Sequence, residues 1–228
     1  MLMTAAGRNR IQKILGGDRV ITYPENDIIN CTLCPLSGIN YAFPRVQRGE
    51  GKKVMFIGEA PGREEAKHHI AFVGRSGKLL NEWINTLGIT NYIITNIVRH
   101  RPVKDNRDRQ PTAGEIEACF PHLATEILNE KPDFIILLGR SAMRGFKTYM
   151  GSEHLNGIRW EDPIKYVMPK TFSNTLRISL TYEIQDATGT VEMKKHPRVF
   201  VIWHPSYILR GYSTEGNLEK LKEQLGEA

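Results

Sequence analysis

The sequence predicts an α/β protein: a mostly parallel sheet with helices on both sides. Two observations carry this. Short apolar runs at residues 54–57, 92–95, 134–138 and 199–203 are continuous rather than alternating, as in strands covered on both faces. Segments with helical apolar spacing lie between them, and strand–helix alternation favours parallel pairing. With 228 residues, 40% of them hydrophobic, the chain is long enough to close a sizeable core. It is expected to form a single domain over residues 1–228.

The elements can be justified in order. The opening "MLMTAAGRNRIQKIL" has no long apolar core, so no secretory signal is expected, and no run reaches the length of a membrane span. The cysteines are Cys31, Cys34 and Cys119. An odd number without a signal argues against a disulfide framework and for the cytoplasm. After the first strand, "SGKLLNEWINTLG" sets Leu79, Leu80, Trp83, Ile84 and Leu87 on one face, with Ser76 as expected N-cap and Gly88 as C-terminal stop. Residues 103–111, "VKDNRDRQP", read as a charged loop. In "TAGEIEACFPHLATEIL", Thr112 and Glu115 have capping-box spacing, and Ile116, Cys119, Phe120, Leu123 and Ile127 form the apolar face. Pro121 within it predicts a kink or an early break. Residues 177–195 alternate around "DATG" and read as a β-hairpin, an insertion at about 174–198 before the last strand.

Ligands bind beyond the carboxyl ends of parallel strands. Four stretches should therefore open on one edge: "GEAPG" at 58–62, Thr95–Asn96, "GRSA" at 139–142, and "HPS" at 204–206. Glu59, Asn96 and His204 are polar groups placed where buried strands stop. The net charge of +6 and a pI of about 9.2 favour a polyanionic partner.

These motifs resemble the family 4 uracil-DNA glycosylases. "GEAPGREEAKHHIAFVGRSGKLL" is similar to that family's first motif of GEAPG, an acidic pair, PFVG and a leucine-rich helix. "YIITNIVRHRP", "EIEAC" and "HPSYILR" are similar to its later motifs, in the same order. The resemblance covers most of residues 31–145 and again 199–211, but not the hairpin region. It implies a three-layer α/β/α fold around a four-stranded parallel sheet. It also implies a DNA-repair enzyme that flips uracil out of DNA and hydrolyses its N-glycosidic bond, leaving an abasic site.

The resemblance further implies residue roles. Phe72 stacks on the extruded base, Asn96 reads its edge, His204 faces uracil O2, and Glu59 orients water or favours the cationic sugar. Gly58, Ala60, Gly62 and Ser206 are expected in the base-binding site. Arg75, Ser206, Tyr207, Leu209 and Arg210 are expected against DNA, with the apolar residues of "YIL" as a minor-groove wedge. The chemistry needs such groups. A flipped base loses its stacking, and an aromatic face returns about 1–3 kcal/mol. A carboxamide accepts from uracil N3–H and donates to O4, whereas cytosine presents the opposite pattern. Bond cleavage leaves a cationic sugar and an anionic base, and a preorganised donor to that anion is worth about 2.7–4 kcal/mol.

From spacing alone, Cys31 and Cys34 with a later His100 and Cys119 read equally well as a zinc site. The family's four cysteines hold a four-iron, four-sulfur cluster. The resemblance thus implies a 4Fe-4S cluster here, with His100 at the third cysteine position, because imidazole also ligates iron. Zinc at the same site is the alternative. Other departures are Ala66 for an acidic residue, His69 for a glycine and Ala71 for a proline, which set His68 and His69 near the expected pocket mouth. The implied partner is uracil-containing DNA, single- or double-stranded, bound by a monomer associated with the nucleoid. Alternatives are a glycosylase for another base (a 5-substituted uracil or hypoxanthine) and a non-catalytic DNA-binding homologue.

Overall fold

The computed structural model describes residues 28–38, 40–150, 176–177, 185–186, 189–190, 197–211 and 217–226. Its strands are β1 (Arg45–Gln47), β2 (Val54–Gly58), β3 (Tyr92–Asn96), β4 (Val103–Lys104), β5 (Arg107–Asp108), β6 (Phe134–Leu138), β7 (Leu176–Arg177), β8 (Gln185–Asp186), β9 (Gly189–Thr190) and β10 (Arg198–Ile202). Its helices are α1 (Arg63–His68), α2 (Arg75–Thr86), α3 (Ala113–Glu130), α4 (Gly139–Met150), α5 (Pro205–Ile208) and α6 (Asn217–Gly226).

The main sheet runs β1-β3-β2-β6-β10-β7. Its central strands β3, β2, β6 and β10 are the four apolar runs, and they pair in parallel. The sheet has six strands rather than the expected four, because β1 and β7 add antiparallel edges. At three and two residues, these edges are too short to write a periodicity into the sequence.

Each central strand splits its side chains between two cores. Met55, Ile57, Ile93, Ile135 and Leu137 pack with Leu123, Ile127, Met143 and Phe146 of α3 and α4. Val54, Phe56, Ile94, Phe134, Ile136, Phe200 and Ile202 pack with Leu80, Trp83 and Ile84 of α2 and Leu221 of α6. Burial on both faces is why the strand sequences are continuous apolar runs, and it makes the molecule a three-layer α/β/α sandwich. Among the described residues no helix is long and apolar enough to cross a membrane.

Several local expectations are corrected. Helix α2 starts at Arg75 with Gly74 as N-cap, so Ser76 lies inside the first turn. The orphan amides at this end are met from outside the helix: Glu65 Oε1 accepts from Val73 N at 3.0 Å and Gly74 N at 2.8 Å. The expected stop holds, since Gly88 N reaches Asn85 O at 3.0 Å and Ile89 N reaches Ile84 O at 3.1 Å, the bond pair of a Schellman end. Helix α3 begins with the expected Thr112–Glu115 capping box but passes through Pro121 without ending. Pro121 and Glu117, whose carbonyl loses its helical partner, both lie on the exposed face, where water can satisfy that oxygen.

Residues 103–111 are not an irregular loop. Strands β4 and β5 pair antiparallel around Asp105 and Asn106, at φ of 51° and 59°. Two consecutive left-handed residues make a type I′ hairpin turn, a conformation Asp and Asn tolerate. Of the expected hairpin over 177–195, β8 and β9 pair antiparallel on either side of Ala187 and Thr188. Arg177 lies in β7 of the main sheet, and the remaining positions of that stretch lie outside the described residues.

Candidate active site and metal-ligand cluster

The parallel strands deliver Gly58, Asn96, Gly139 and His204 to one edge. Gly58 and Asn96 are register partners at the ends of β2 and β3. Gly58 is a floor that tolerates no side chain: a Cβ there would lie 2.5 Å from Phe72 Cζ and 2.6 Å from Asn96 Oδ1. The Phe72 ring and the Asn96 carboxamide therefore meet above it. The His204 ring centroid is 5.9 Å from that of Phe72. Gly139, at φ 82°, is packed so closely that a Cβ would sit 2.8 Å from His204 Cβ. The ring, the carboxamide and the imidazole thus share one site.

Phe72 is 5% exposed and sits at φ 55°, a left-handed conformation that costs a non-glycine residue about 1–2 kcal/mol. Glu65 holds the strained turn. Its Oε1 binds the Val73 and Gly74 amides, and its Oε2 accepts from Gly62 N at 3.2 Å. One carboxylate thereby ties the GEAPG loop to the turn that carries the ring. The motif resemblance includes Glu65 without giving it this work.

Asn96 is 3% exposed, and its Oδ1 is buried without a hydrogen-bond partner. A buried acceptor left unpaired costs about 1–3 kcal/mol, and an incoming N–H donor would relieve that cost. The backbone behind it is fixed. Arg99, also buried, donates to the Asn96 carbonyl at 3.2 Å, to the Thr95 hydroxyl and to the Glu126 carboxylate.

His204 caps α5 with its own ring. Its Nδ1 lies 3.1 Å from the Ser206 amide and 2.8 Å from the Ser206 hydroxyl. The amide can only donate, so Nδ1 is the acceptor and the ring proton sits on Nε2. Burial, with a smaller contribution from the Arg210 charge, lowers the imidazole pKa to about 4. A neutral ring with a fixed Nε2–H donor results. Ser206, expected at the base or at DNA, spends its hydroxyl on this ring.

Glu59 follows Gly58 and is half-buried. Burial raises its pKa, and a hydrogen bond from Ser141 opposes that. Ala60 packs beside the core and Gly62 donates to Glu65.

The three cysteines and two histidines lie near one another. Cys119 is buried; burial pushes its thiol up to about 11, the Arg99 charge opposes this, and Cys31 and Cys34 act on it electrostatically. Cys119 Sγ accepts from Arg99 N at 3.2 Å, and His122 Nε2 lies 3.4 Å from Cys31 Sγ. His100 is 3% exposed; one ring nitrogen bonds the Gly38 backbone, while Nε2 is buried without a partner. Burial and the neighbouring His122 lower the His100 pKa to about 4, so the ring is neutral. Among the described residues no three His, Cys, Asp or Glu side chains close around a single ion. His122 is a member that sequence reasoning missed, one helical turn beyond Cys119 on α3.

A family model described as "Uracil DNA glycosylase superfamily" matches residues 47–226. This chain belongs to that superfamily. The match runs through the stretch from 146 to 198 that the motif resemblance left uncovered. Proteins named type-4 uracil-DNA glycosylase are similar to it. One from Thermotoga maritima is 32% identical over 190 residues, 81% of each chain. One from Pyrobaculum aerophilum is 40% identical over 129 residues, 54% of this chain and 63% of that protein. One from Archaeoglobus fulgidus is 36% identical over 118 residues, 51% and 58%. The matches to the latter two span about three fifths of those relatives' own lengths.

Around the glycosylase-like site, Arg75 is exposed at the start of α2, and Arg210 is exposed after α5. Leu209 is one of only two large exposed hydrophobic side chains among the described residues, at 40%. Tyr207 is engaged within the protein: Trp203 stacks on it at 4.5 Å and the Arg210 guanidinium lies 5.5 Å from its centroid. His69, noted near the expected pocket mouth, turns at φ 58° and stacks on Tyr41 at 4.2 Å, with Nδ1 at 3.2 Å from the Tyr41 carbonyl. His68 Nδ1 lies 2.8 Å from Glu64 O. Both imidazoles are held by the protein itself.

Proposed function

We propose that this chain flips uracil out of DNA and hydrolyses its N-glycosidic bond, leaving an abasic site. The observation that carries this reading is the unpaired, buried Asn96 Oδ1 beside the Phe72 ring and the His204 imidazole. A base slotted against Phe72 regains stacking energy. Its N3–H satisfies Asn96 Oδ1, and its O4 accepts from the Asn96 amide. Cytosine offers a lone pair at N3 and would leave the Asn96 acceptor unpaired, the situation in which buried polar sites reject a wrong partner most strongly. As the bond breaks, electrons flow to the base, and the neutral His204 donates from Nε2 to O2 without surrendering its proton. Glu59, an anion at this edge, favours the cationic sugar and positions the water that adds to it.

Leu209, exposed beside the site, is the residue for the wedge, and Arg75 and Arg210 suit backbone phosphates. Base release from uracil-containing single- and double-stranded oligonucleotides tests the reading. Excision of uracil, spared cytosine and a loss of at least tenfold in Asn96→Ala are expected. A chain that binds DNA yet releases no uracil, or that prefers hypoxanthine, would overturn it.

We also propose a four-iron, four-sulfur cluster on Cys31, Cys34, Cys119 and His100. The donor set fits the group: three thiols and a neutral imidazole whose Nε2 has no other partner and whose second nitrogen is held by a backbone carbonyl, the arrangement that fixes a ligating tautomer. Bound there, the group supplies a cross-link between the Cys31–Cys34 segment and α3. Anaerobically purified protein should be brown, with equal iron and acid-labile sulfide. Colourless protein with stoichiometric zinc would support the zinc alternative instead.

A further inference from the structure

We propose that the segment Tyr41–Arg45 is a positioning strap for Phe72, in which Phe43 pins the residues before the ring and the Arg45 side chain holds the Phe72 carbonyl. The inference deepens the reading of this site as a glycosylase centre and rests on Phe72 receiving the base there.

The turn that carries Phe72 needs outside support. His69 and Phe72 both take left-handed φ, at 58° and 55°, and non-glycine residues keep such backbone only where their surroundings hold it. Glu65 holds the Val73 and Gly74 amides, after the ring. The strap holds the residues before the ring and the carbonyl of Phe72 itself. Phe43 N donates to His69 O at 2.9 Å, and Ala71 N donates to Phe43 O at 2.8 Å, so Phe43 and Ile70 pair as a parallel bridge. Two residues further on, the Arg45 guanidinium donates to Phe72 O at 3.4 Å and also to Asn81 Oδ1 of α2. The same carbonyl is confined by α2, where a Cβ at Gly77 would overlap it.

The strap is itself anchored. Its alternate residues bond to the loop after β3: Ala42 N donates to Arg99 O at 2.9 Å, and Arg101 N donates to Asn40 O at 2.7 Å. Tyr41, Phe43 and Ile70 close a small core with Ile28, and Val73 packs against it. This core is separate from the two that flank the sheet, and it contains residues from both sides of Phe72. Backbone fixed on each side of residue 72 leaves the ring little freedom to lose, so stacking a base on it carries a small ordering cost.

The test is single-turnover uracil release by the full chain and its variants, with DNA affinity, its salt dependence and the thermal midpoint measured in parallel. Arg45→Met keeps the aliphatic stem and removes the donor. It should slow release by about tenfold, the scale of one hydrogen bond from a charged group, with DNA affinity and its salt dependence unchanged. Phe43→Leu, which loosens the strap from within, should also slow release. In a Phe72→Ala background neither substitution should add more than a small further loss, because both act through the one ring. The strap is overturned if the two losses persist undiminished with Phe72→Ala, or if both variants release uracil at the wild-type rate. It is equally overturned if Arg45→Met acts through weaker DNA binding with a shallower salt dependence, the mark of a phosphate ligand. Full activity in Phe72→Ala would overturn it while leaving the glycosylase reading intact. A wild-type chain that releases no uracil would remove both.

Discussion

His204→Ala should lower the single-turnover rate of uracil release by about 10²- to 10³-fold, the range seen when one preorganised donor to a developing anion is removed. DNA affinity should change little, since the donor matters most after charge has moved to the base. Single-turnover kinetics beside a binding titration on the same oligonucleotide checks this. An equal loss in both would mean that the imidazole only binds DNA. The same residue ties stability to pH. Its pKa falls from 6.5 to about 4 on folding, mainly through burial. Between those values the unfolded chain binds a proton that the folded chain refuses, so stability rises with pH. Acidifying from 6.5 towards 4 should therefore destabilise the wild type, and His204→Ala should lack this part of the slope in denaturation curves.

Arg99→Met should cost about 3–5 kcal/mol of folding stability at neutral pH, the penalty for removing one partner of a buried ion pair. Arg99 and Glu126 are 3% and 0% exposed, so no water can replace the lost guanidinium. Burial already raises the Glu126 pKa from 4.5, opposed chiefly by the Arg99 charge. Without Arg99 the carboxyl takes up a proton in the folded state. The folded chain then binds more protons than the unfolded one above pH 4.5, so stability falls as pH rises and the deficit shrinks on acidification. Denaturant titrations of Arg99→Met at several pH values would show this. Arg99→Met/Glu126→Leu should recover most of the loss by removing the stranded carboxyl along with its partner. If the single variant is as stable as the wild type, the ion pair is not holding this corner together.

Much of this was legible in the sequence because burial leaves a mark on composition. The central strands are covered on both faces, so residues 54–57, 92–95, 134–138 and 199–202 carry unbroken apolar runs. Parallel pairing then brings Gly58, Asn96, Gly139 and His204 to one edge with no further information. The contacts that aim these groups were not legible. Glu65 reaches Val73 and Gly74 across 8 and 9 positions, Gln110 reaches Ser141 across 31, and Arg99 reaches Glu126 across 27, and no spacing rule links residues that far apart. Arg99 did leave a trace, as a charge that directly follows the buried Ile97 and Val98. The β4–β5 turn also left one in the pair Asp105–Asn106, masked by the charges around it. Ser206 carries a contact of another kind that the sequence does not show: its hydroxyl meets the imidazole two residues earlier.

The Glu65 clamp has a consequence for turnover. Because that carboxylate locks the Phe72 shelf before any nucleic acid arrives, the cleft does not have to be assembled at the moment of encounter. If this chain excises uracil as proposed, a cleft already shaped for a planar heterocycle would also hold the liberated base, and departure of free uracil would compete with the next encounter.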